Sequence, residues 1–306
     1  MTGASRPRAV EVRAQAKINL RLRILARETS GYHQLETLYH RIELADVVRV
    51  RRTNASRSLD VAGDADRNAG PTERNLAWRA ADSYFAATRM AGGFAIELEK
   101  RIPVGGGLGG GSADAGAVLR ALDAMADVPI GESRLIQLAA ALGSDVPFLA
   151  SEHAYALAWG RGERMMALEP PSPRPVLLLL PVFAVNTADA FGWLAAARGE
   201  QRAAAGTEAL LLHPPQLERW DSIARVAIND FETVVAGRHP EIAALLAAQR
   251  AASWVELAML SGSGSSVFAV MRDGTGGAVK EVGNGSGTRS VMTRTVLRVE
   301  PPSPME

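Results

Sequence analysis

No cysteine occurs in the 306-residue chain. Its absence excludes disulfides, thiolate metal sites and a cysteine nucleophile, and it fits a cytoplasmic chain. An excess of charge is missing too. The formal net charge is +1 at pH 7, so no bulk field draws the chain to nucleic acid or to a membrane surface, and neither is expected as a partner. Long apolar runs are scarce. The longest, around PVLLLLPVFAV at residues 175–185, is too short to cross a bilayer and reads as a buried strand. The opening residues, MTGASRPRAVEVRAQAK, lack the apolar centre of a secretory leader, which also points to the cytoplasm. The five histidines (His33, His40, His153, His213 and His239) show no paired metal-ligand spacing. No protein-borne metal site is expected, and each histidine except His33 is expected to be structural.

What is present is ordinary for a globular chain: 47% hydrophobic and 22% charged residues, with length enough for two domains. Strands are expected at residues 8–13, 18–25, 35–44 and 46–52, the last two separated near Ala45–Asp46. After a loop at 63–75, a helix is expected from an Asn75 cap through residues 76–90, then an alternating strand at 94–100. Further helices are expected beyond Ser112 as N-cap and at 133–142, the latter closed by Gly143. A proline-rich connector at 169–176 leads to a strand at 176–181. Helices at 188–198, 216–224, 229–237 and 240–251 follow, with strands at 266–271 and 290–299 and a glycine-rich loop or degenerate helix between them. Strands and helices mix without a strict βαβ rhythm, so an α+β fold is favoured over a doubly wound sheet.

One stretch stands apart. PVGGGLGGGSADAG, residues 103–116, holds seven glycines in fourteen positions and runs into a helical pattern. Glycine costs on the order of 0.5–1 kcal/mol per residue in an ordered element, and an anion held by bare N–H groups at a helix N-terminus is a compensating role. The Walker A pattern needs Lys-Ser/Thr after the last glycine; Ser112-Ala113 stands there instead. A dinucleotide fingerprint can be laid on Gly105, Gly107 and Gly110, but the acidic residues at the right distance, Asp123 and Asp127, fall on or just past the helix rather than at a strand end.

The stretch is very similar to the central P-x-x-x-G-L-G-S/G-S-S motif of the GHMP kinases, the superfamily of galactokinase, homoserine kinase and mevalonate kinase. The resemblance implies a two-domain α+β fold, with a ribosomal protein S5 domain 2-like N-terminal part (1–160) and a ferredoxin-like C-terminal part (161–306) that closes over the substrate. It implies ATP and Mg²⁺, with Pro103, Gly105, Gly106, Gly107, Leu108, Gly109, Gly110, Gly111 and Ser112 wrapping the phosphates and Asn75 and Lys100 on the ATP side. The family usually has a second hydroxyl where Ala113 stands.

Other segments resemble one branch of that superfamily, whose acceptor is a cytidyl-diphospho sugar alcohol of non-mevalonate isoprenoid synthesis. They are AKINLRLRILARETSGYHQLETL (16–38), NLAWRAA (75–81), LGSDVPFL (142–149), NDFE (229–232) and LSGSGSSVFAV (260–270). The resemblance implies Asp145 as general base paired with Lys17. It also places Asn19, Tyr32, His33, Thr187 and Phe191 on the substrate, with Tyr32, His33 and Phe191 gripping the cytosine. The run ALAWGRGE (156–163) departs from the branch at Trp159. The chemistry agrees: phosphoryl transfer to an alcohol needs held phosphates and a positioned base. A lysine between apolar residues of a strand is costly unless its ammonium is used. A monomer or homodimer acting on small molecules is expected. The rivals are another kinase of the superfamily, a nicotinamide-dependent oxidoreductase using the glycine loop, and a non-catalytic descendant of the kinase fold.

Overall fold

The first two strands run longer than sequence alternation predicts. In the computed structural model, which describes residues 6–27, 33–63, 72–200, 212–275 and 287–306, β1 spans Ala9–Arg27 and β2 spans His33–Thr53. They pair antiparallel along their lengths, with register shifts at Gln15/Lys17, Asn19/Arg21 and Ile24/Ala26. The expected breaks hold Lys17 and Asp46, and both side chains are buried and hydrogen-bonded. Gln15, Lys17, Asn19 and Arg21 form a buried polar row on one face of β1, while Ala16, Ile18 and Leu20 pack into the core on the other. Asp46 is buried inside β2, where it takes the N–H groups of Arg101 (2.6 Å) and Ile102 (2.8 Å).

The chain continues through β3 (Arg57–Gly63), α1 (Leu76–Thr88), β4 (Gly93–Lys100), α2 (Gly110–Met125), α3 (Glu132–Ala140), α4 (Val146–Ala150), β5 (Tyr155–Gly160) and β6 (Arg164–Ala167). Then come β7 (Pro175–Pro181), α5 (Thr187–Glu200), α6 (Trp220–Val226), β8 (Ile228–Asn229), α7 (Glu232–Ala236), α8 (Pro240–Ala251), β9 (Val255–Leu260), β10 (Val267–Met271), β11 (Thr288–Arg294) and β12 (Ser303–Pro304). The first sheet is ordered β12-β1-β2-β4-β3, with β5 and β6 continuing from the other half of β2 and β8 beside β1. The second is the antiparallel sheet β11-β7-β10-β9. The α+β reading holds. Of the loop expected before β11, residues 276–286 lie outside the described residues.

The apolar run that is too short for a membrane is β7. Val176, Leu178 and Leu180 point into one core with the first sheet, and Leu177 and Leu179 into a second core with α5, α7 and α8. A strand buried on both faces reads as continuous leucine rather than as alternation. Among the described residues no helix is long and apolar enough to cross a membrane.

Helix α4, which carries Asp145 at its start, is set by a glycine in α2. A Cβ on Gly116 would lie 2.4 Å from the Leu149 carbonyl oxygen, so α2 and α4 touch backbone to backbone. Gly116→Ala is expected to lower the unfolding free energy by about 1–3 kcal/mol; an unchanged urea midpoint would show that the two helices separate freely.

Candidate active site

The glycine stretch forms a bend between β4 and α2. Asp46 fixes where it begins by holding the N–H groups just before Pro103. Gly105, Gly107 and Gly109 adopt φ of +76°, +74° and +76°, a region that side-chain-bearing residues rarely enter. The sequence expectation at the helix start needs correction: the N-cap is Gly109, without a side-chain cap, and Ser112 is the third residue of α2. The first helical hydrogen bond runs from the Ala113 N–H to the Gly109 carbonyl at 2.8 Å. The N–H groups ahead of it have no partner within the helix. A serine N-cap would have occupied one of them.

A second glycine loop, between β9 and β10, closes on the bend. The Ser266 N–H donates to the Gly106 carbonyl (3.3 Å) and the Ser261 hydroxyl to the Gly107 carbonyl (2.9 Å). A Cβ on Gly107 would sit 2.0 Å from the Ser261 carbonyl oxygen, so only glycine permits this approach. The motif NDFE supplies the brace. The Asn229 amide donates to the carbonyls of Leu260 (2.9 Å) and Gly262 (2.8 Å), and its oxygen accepts the Phe231 N–H (3.0 Å). The sequence marked this motif without giving Asn229 a task.

Lys17 reaches the bend from β1. At the register shift its own N–H turns to the Leu108 carbonyl (3.1 Å). Its ammonium donates to Asn19 Oδ1 (2.7 Å) and the Gly107 carbonyl (3.0 Å) and lies 3.2 Å from Asp145 Oδ2. The Lys17 side chain is 3% exposed and that of Asp145 is 30% exposed, so the carboxylate is the partner left facing the cleft. Asp145 also receives the Tyr39 hydroxyl on Oδ1 at 2.7 Å. Burial, and then the Asp145 charge and hydrogen bond, push the Tyr39 phenol well above its ordinary pKa. Asp145 lies in the short turn past the C-terminus of α3, as expected, and also opens α4.

Two cavities share the bend as a wall. One, of about 440 Å³, is lined by Lys17, Asn19, Ser112, Asp145, Thr187 and Phe191 together with glycines 105, 107 and 109–111. The other lies against Asn75, Lys100, Pro103, Leu108 and glycines 105–107 and 109–111. Asn75 spends its side-chain oxygen on the Ala77 N–H as the α1 cap, as the sequence predicts. Several other side chains have tasks that their residue types did not announce. Leu108 is buried in the core, so only its backbone reaches the bend. Asn19 holds Lys17 and donates to Thr37 Oγ1 (2.8 Å). Thr187 and Ser263 share a hydroxyl hydrogen bond at 3.0 Å. Phe191 lies on the His33 ring, with centroids 4.3 Å apart, and meets Phe231 edge-on. Tyr32 lies outside the described residues.

Lys100 is held by two carboxylates, Asp46 and Asp114. Burial works against its charge, but Asp114 and Asp46 outweigh it and keep the pKa above the usual lysine value. Asp46 has backbone donors as well, whereas Asp114 Oδ1 is buried without a partner. The proton that this net-negative trio takes up therefore belongs to Asp114, whose pKa burial pushes up to about 7.

A helix N-terminus clamped between two glycine loops, with an ionised pair across the cleft, defines a small-molecule phosphotransferase of the GHMP type. Residues 75–153 match the family described as GHMP kinases N terminal domain. A 4-diphosphocytidyl-2-C-methyl-D-erythritol kinase of Desulfotalea psychrophila is 37% identical over 87% of this chain and 87% of that protein. A crystal structure of 4-(cytidine 5'-diphospho)-2C-methyl-D-erythritol kinase superposes with a TM-score of 0.70 at 34% identity, over 93% of this chain and 98% of the other. The homoserine kinase of Cytophaga hutchinsonii shares the fold, with a TM-score of 0.72 at 18% identity over 99% of both chains. The chain belongs to the 4-diphosphocytidyl-2-C-methyl-D-erythritol kinase family.

The raised Asp114 pKa makes a stability prediction. Its folded value lies above its unfolded one, so the folded state binds the extra proton and this group's contribution to stability falls as pH rises from about 4 to about 7. Asp114→Asn is expected to remove that slope from the pH dependence of urea unfolding. An unaltered slope between those limits would mean that the site is ionised throughout.

Proposed function

We propose that the chain transfers the terminal phosphoryl group of ATP to the tertiary 2-hydroxyl of 4-diphosphocytidyl-2-C-methyl-D-erythritol, a step of the non-mevalonate route to isoprenoid precursors. One observation carries the reading: the glycine bend walls both cavities, and the Lys17–Asp145 pair stands in one of them. A nucleotide on the Asn75–Lys100 side would pass its phosphates along the α2 N-terminus and present the last one to an acceptor oxygen beside Asp145. The residues fit such an anion: α2 opens at Gly109 without a side-chain cap, and Gly105, Gly107 and Gly109, all at positive φ, bring bare backbone to the wall of both cavities.

Asp145 takes the proton of the acceptor hydroxyl as the oxygen attacks. Lys17, which faces no other carboxylate among the described contacts, pairs with Asp145 and fixes its direction. Asn19 and the Gly107 carbonyl hold the ammonium so that it cannot swing away. Transfer is direct and in line, and no covalent enzyme intermediate is required. Mg²⁺, when bound, neutralises phosphate charge; Ser112, half-buried on the first turn of α2 and lining the acceptor cavity, is the hydroxyl placed to hold it with the phosphates. Ala113 is buried in the core, so no second hydroxyl stands beside it. Phe191 lines the same cavity as Asp145 and stacks on His33; an aromatic surface there suits a planar base on the acceptor, which homoserine or mevalonate would not offer. Tyr32 and Thr187 belong to the same proposed subsite.

Incubation with ATP-Mg²⁺ and a panel of alcohols, with and without a cytidyl group, is expected to yield a new phosphate monoester by ³¹P NMR only from the cytidyl-diphospho compound. Equal turnover of a nucleotide-free alcohol would sink the substrate assignment. Asp145→Asn is expected to lower kcat by roughly 10²–10⁴ with the fold intact. Full activity in that variant, with an unchanged circular dichroism spectrum, would remove Asp145 from the mechanism.

A further inference from the structure

Tyr39 was not singled out by the sequence. It sits in β2 as one more buried aromatic, and neither phosphates nor a cytidyl group asks for it. The structure gives it a contact that core packing does not require. Its hydroxyl donates to Asp145 Oδ1 at 2.7 Å, while Asp145 Oδ2 faces Lys17 at 3.2 Å. The Tyr39 ring is 1% exposed and stacks on Phe148, centroids 4.7 Å apart and planes 13° apart. Phe148 lies three residues beyond Asp145 in the same short helix. Tyr39 therefore grips α4 twice, once through the ring and once through the carboxylate. Arg41, two residues on in β2, adds a third hold by donating to the carbonyls of Phe148 (2.8 Å) and Ser151 (3.0 Å).

We propose that Tyr39 is a positioning residue for Asp145: its hydroxyl occupies Oδ1 and turns the carboxylate so that Oδ2, beside Lys17, is the oxygen that receives the acceptor proton. The proposal rests on the reading of Asp145 as the base. The phenol is a permanent donor, because burial and the neighbouring carboxylate hold it protonated across the working pH range. A donor on one oxygen favours the ionised carboxylate and restricts its rotation. Apart from Arg134 of α3, which is exposed, the other charged groups on the elements around α4 have partners elsewhere. Arg41 serves backbone carbonyls, including His153 (2.9 Å), and Arg120 of α2 donates to the Glu300 carbonyl. Asp114 of α2 is bound to Lys100, and Asp123 of α2 accepts the Tyr84 hydroxyl. Glu132 of α3 lies 3.6 Å from His153. Glu163 accepts the Arg161 N–H in the β5–β6 turn, whose Gly162 packs on Ser144.

The test is Tyr39→Phe, which keeps the ring and deletes the hydroxyl, assayed for kcat and KM from pH 5 to 9 beside Asp145→Asn and the double variant. The expected result is kcat about 10-fold lower, KM for both substrates within about 2-fold, and the acid limb of the rate profile moved up by about 0.5–1 pH unit. In the Asp145→Asn background the same change is expected to cost nothing further. Phe148→Leu removes the stack and keeps the hydroxyl; it is expected to lower the melting temperature while leaving the acid limb in place. If Tyr39→Phe only lowers the melting temperature, with a wild-type acid limb, while Asp145→Asn is inactive, Tyr39 is structural and the base assignment stands. If Asp145→Asn is fully active, the base assignment falls and the role of Tyr39 falls with it.

Discussion

The carbonyl of Gly107 is the point on which the rest of the site depends. It accepts the Lys17 ammonium from the first sheet and the Ser261 hydroxyl from the loop of the second. One backbone oxygen thus joins the strand that carries the lysine, the bend that faces the cavities and the loop that closes over them. The junction exists because Gly107 has no side chain and a positive φ. With a Cβ there, the Ser261 backbone would be displaced, and the second loop would leave the bend.

From that junction the chemistry follows by exclusion. The Lys17 ammonium is buried and would be costly if unpaired, so it carries three partners, of which only the Asp145 carboxylate faces solvent. The cleft therefore presents an ionised oxygen next to a helix N-terminus whose first N–H groups are free. Partial positive charge on one side and a carboxylate on the other suit a phosphate and a hydroxyl meeting between them. Relatives named as 4-diphosphocytidyl-2-C-methyl-D-erythritol kinases match along nearly the whole chain, whereas the likeness to homoserine kinase, at 18% identity, is one of fold. The scaffold is thus shared with proteins named as kinases of different acceptors.

Buried polar groups explain most of the disagreement between sequence and fold. Lys17 falls at the edge of the expected gap at 14–17 and Asp46 beside the expected break near 45–46, yet β1 and β2 run straight through them. Each has a partner distant in sequence: Gly107 for Lys17, and Arg101 and Ile102 for Asp46. No local pattern reports such a partner. Ser112 reads as a cap by residue type, but the bend enters α2 through Gly109 with φ of +76°. Lys100 was expected to serve ATP; it lines the cavity beside Asn75, and its charge is answered by Asp46 and Asp114.

Local rules, acting on neighbours in the chain, determined a good deal by themselves. The glycine spacing that frees backbone N–H groups, the α+β rhythm and the Asn75 cap all follow from the sequence, whereas Lys17 and Asp145 became a candidate pair through the resemblance of their motifs. Tertiary structure alone decided that these two meet at 3.2 Å, that Tyr39 holds the free end of the carboxylate, that Asn229 braces the second loop and that Phe191 rests on His33. Those contacts join residues far apart in the chain, and their geometry is fixed by how two sheets and a helix pack. A pattern of residue types carries propensity and periodicity, and neither contains a distance.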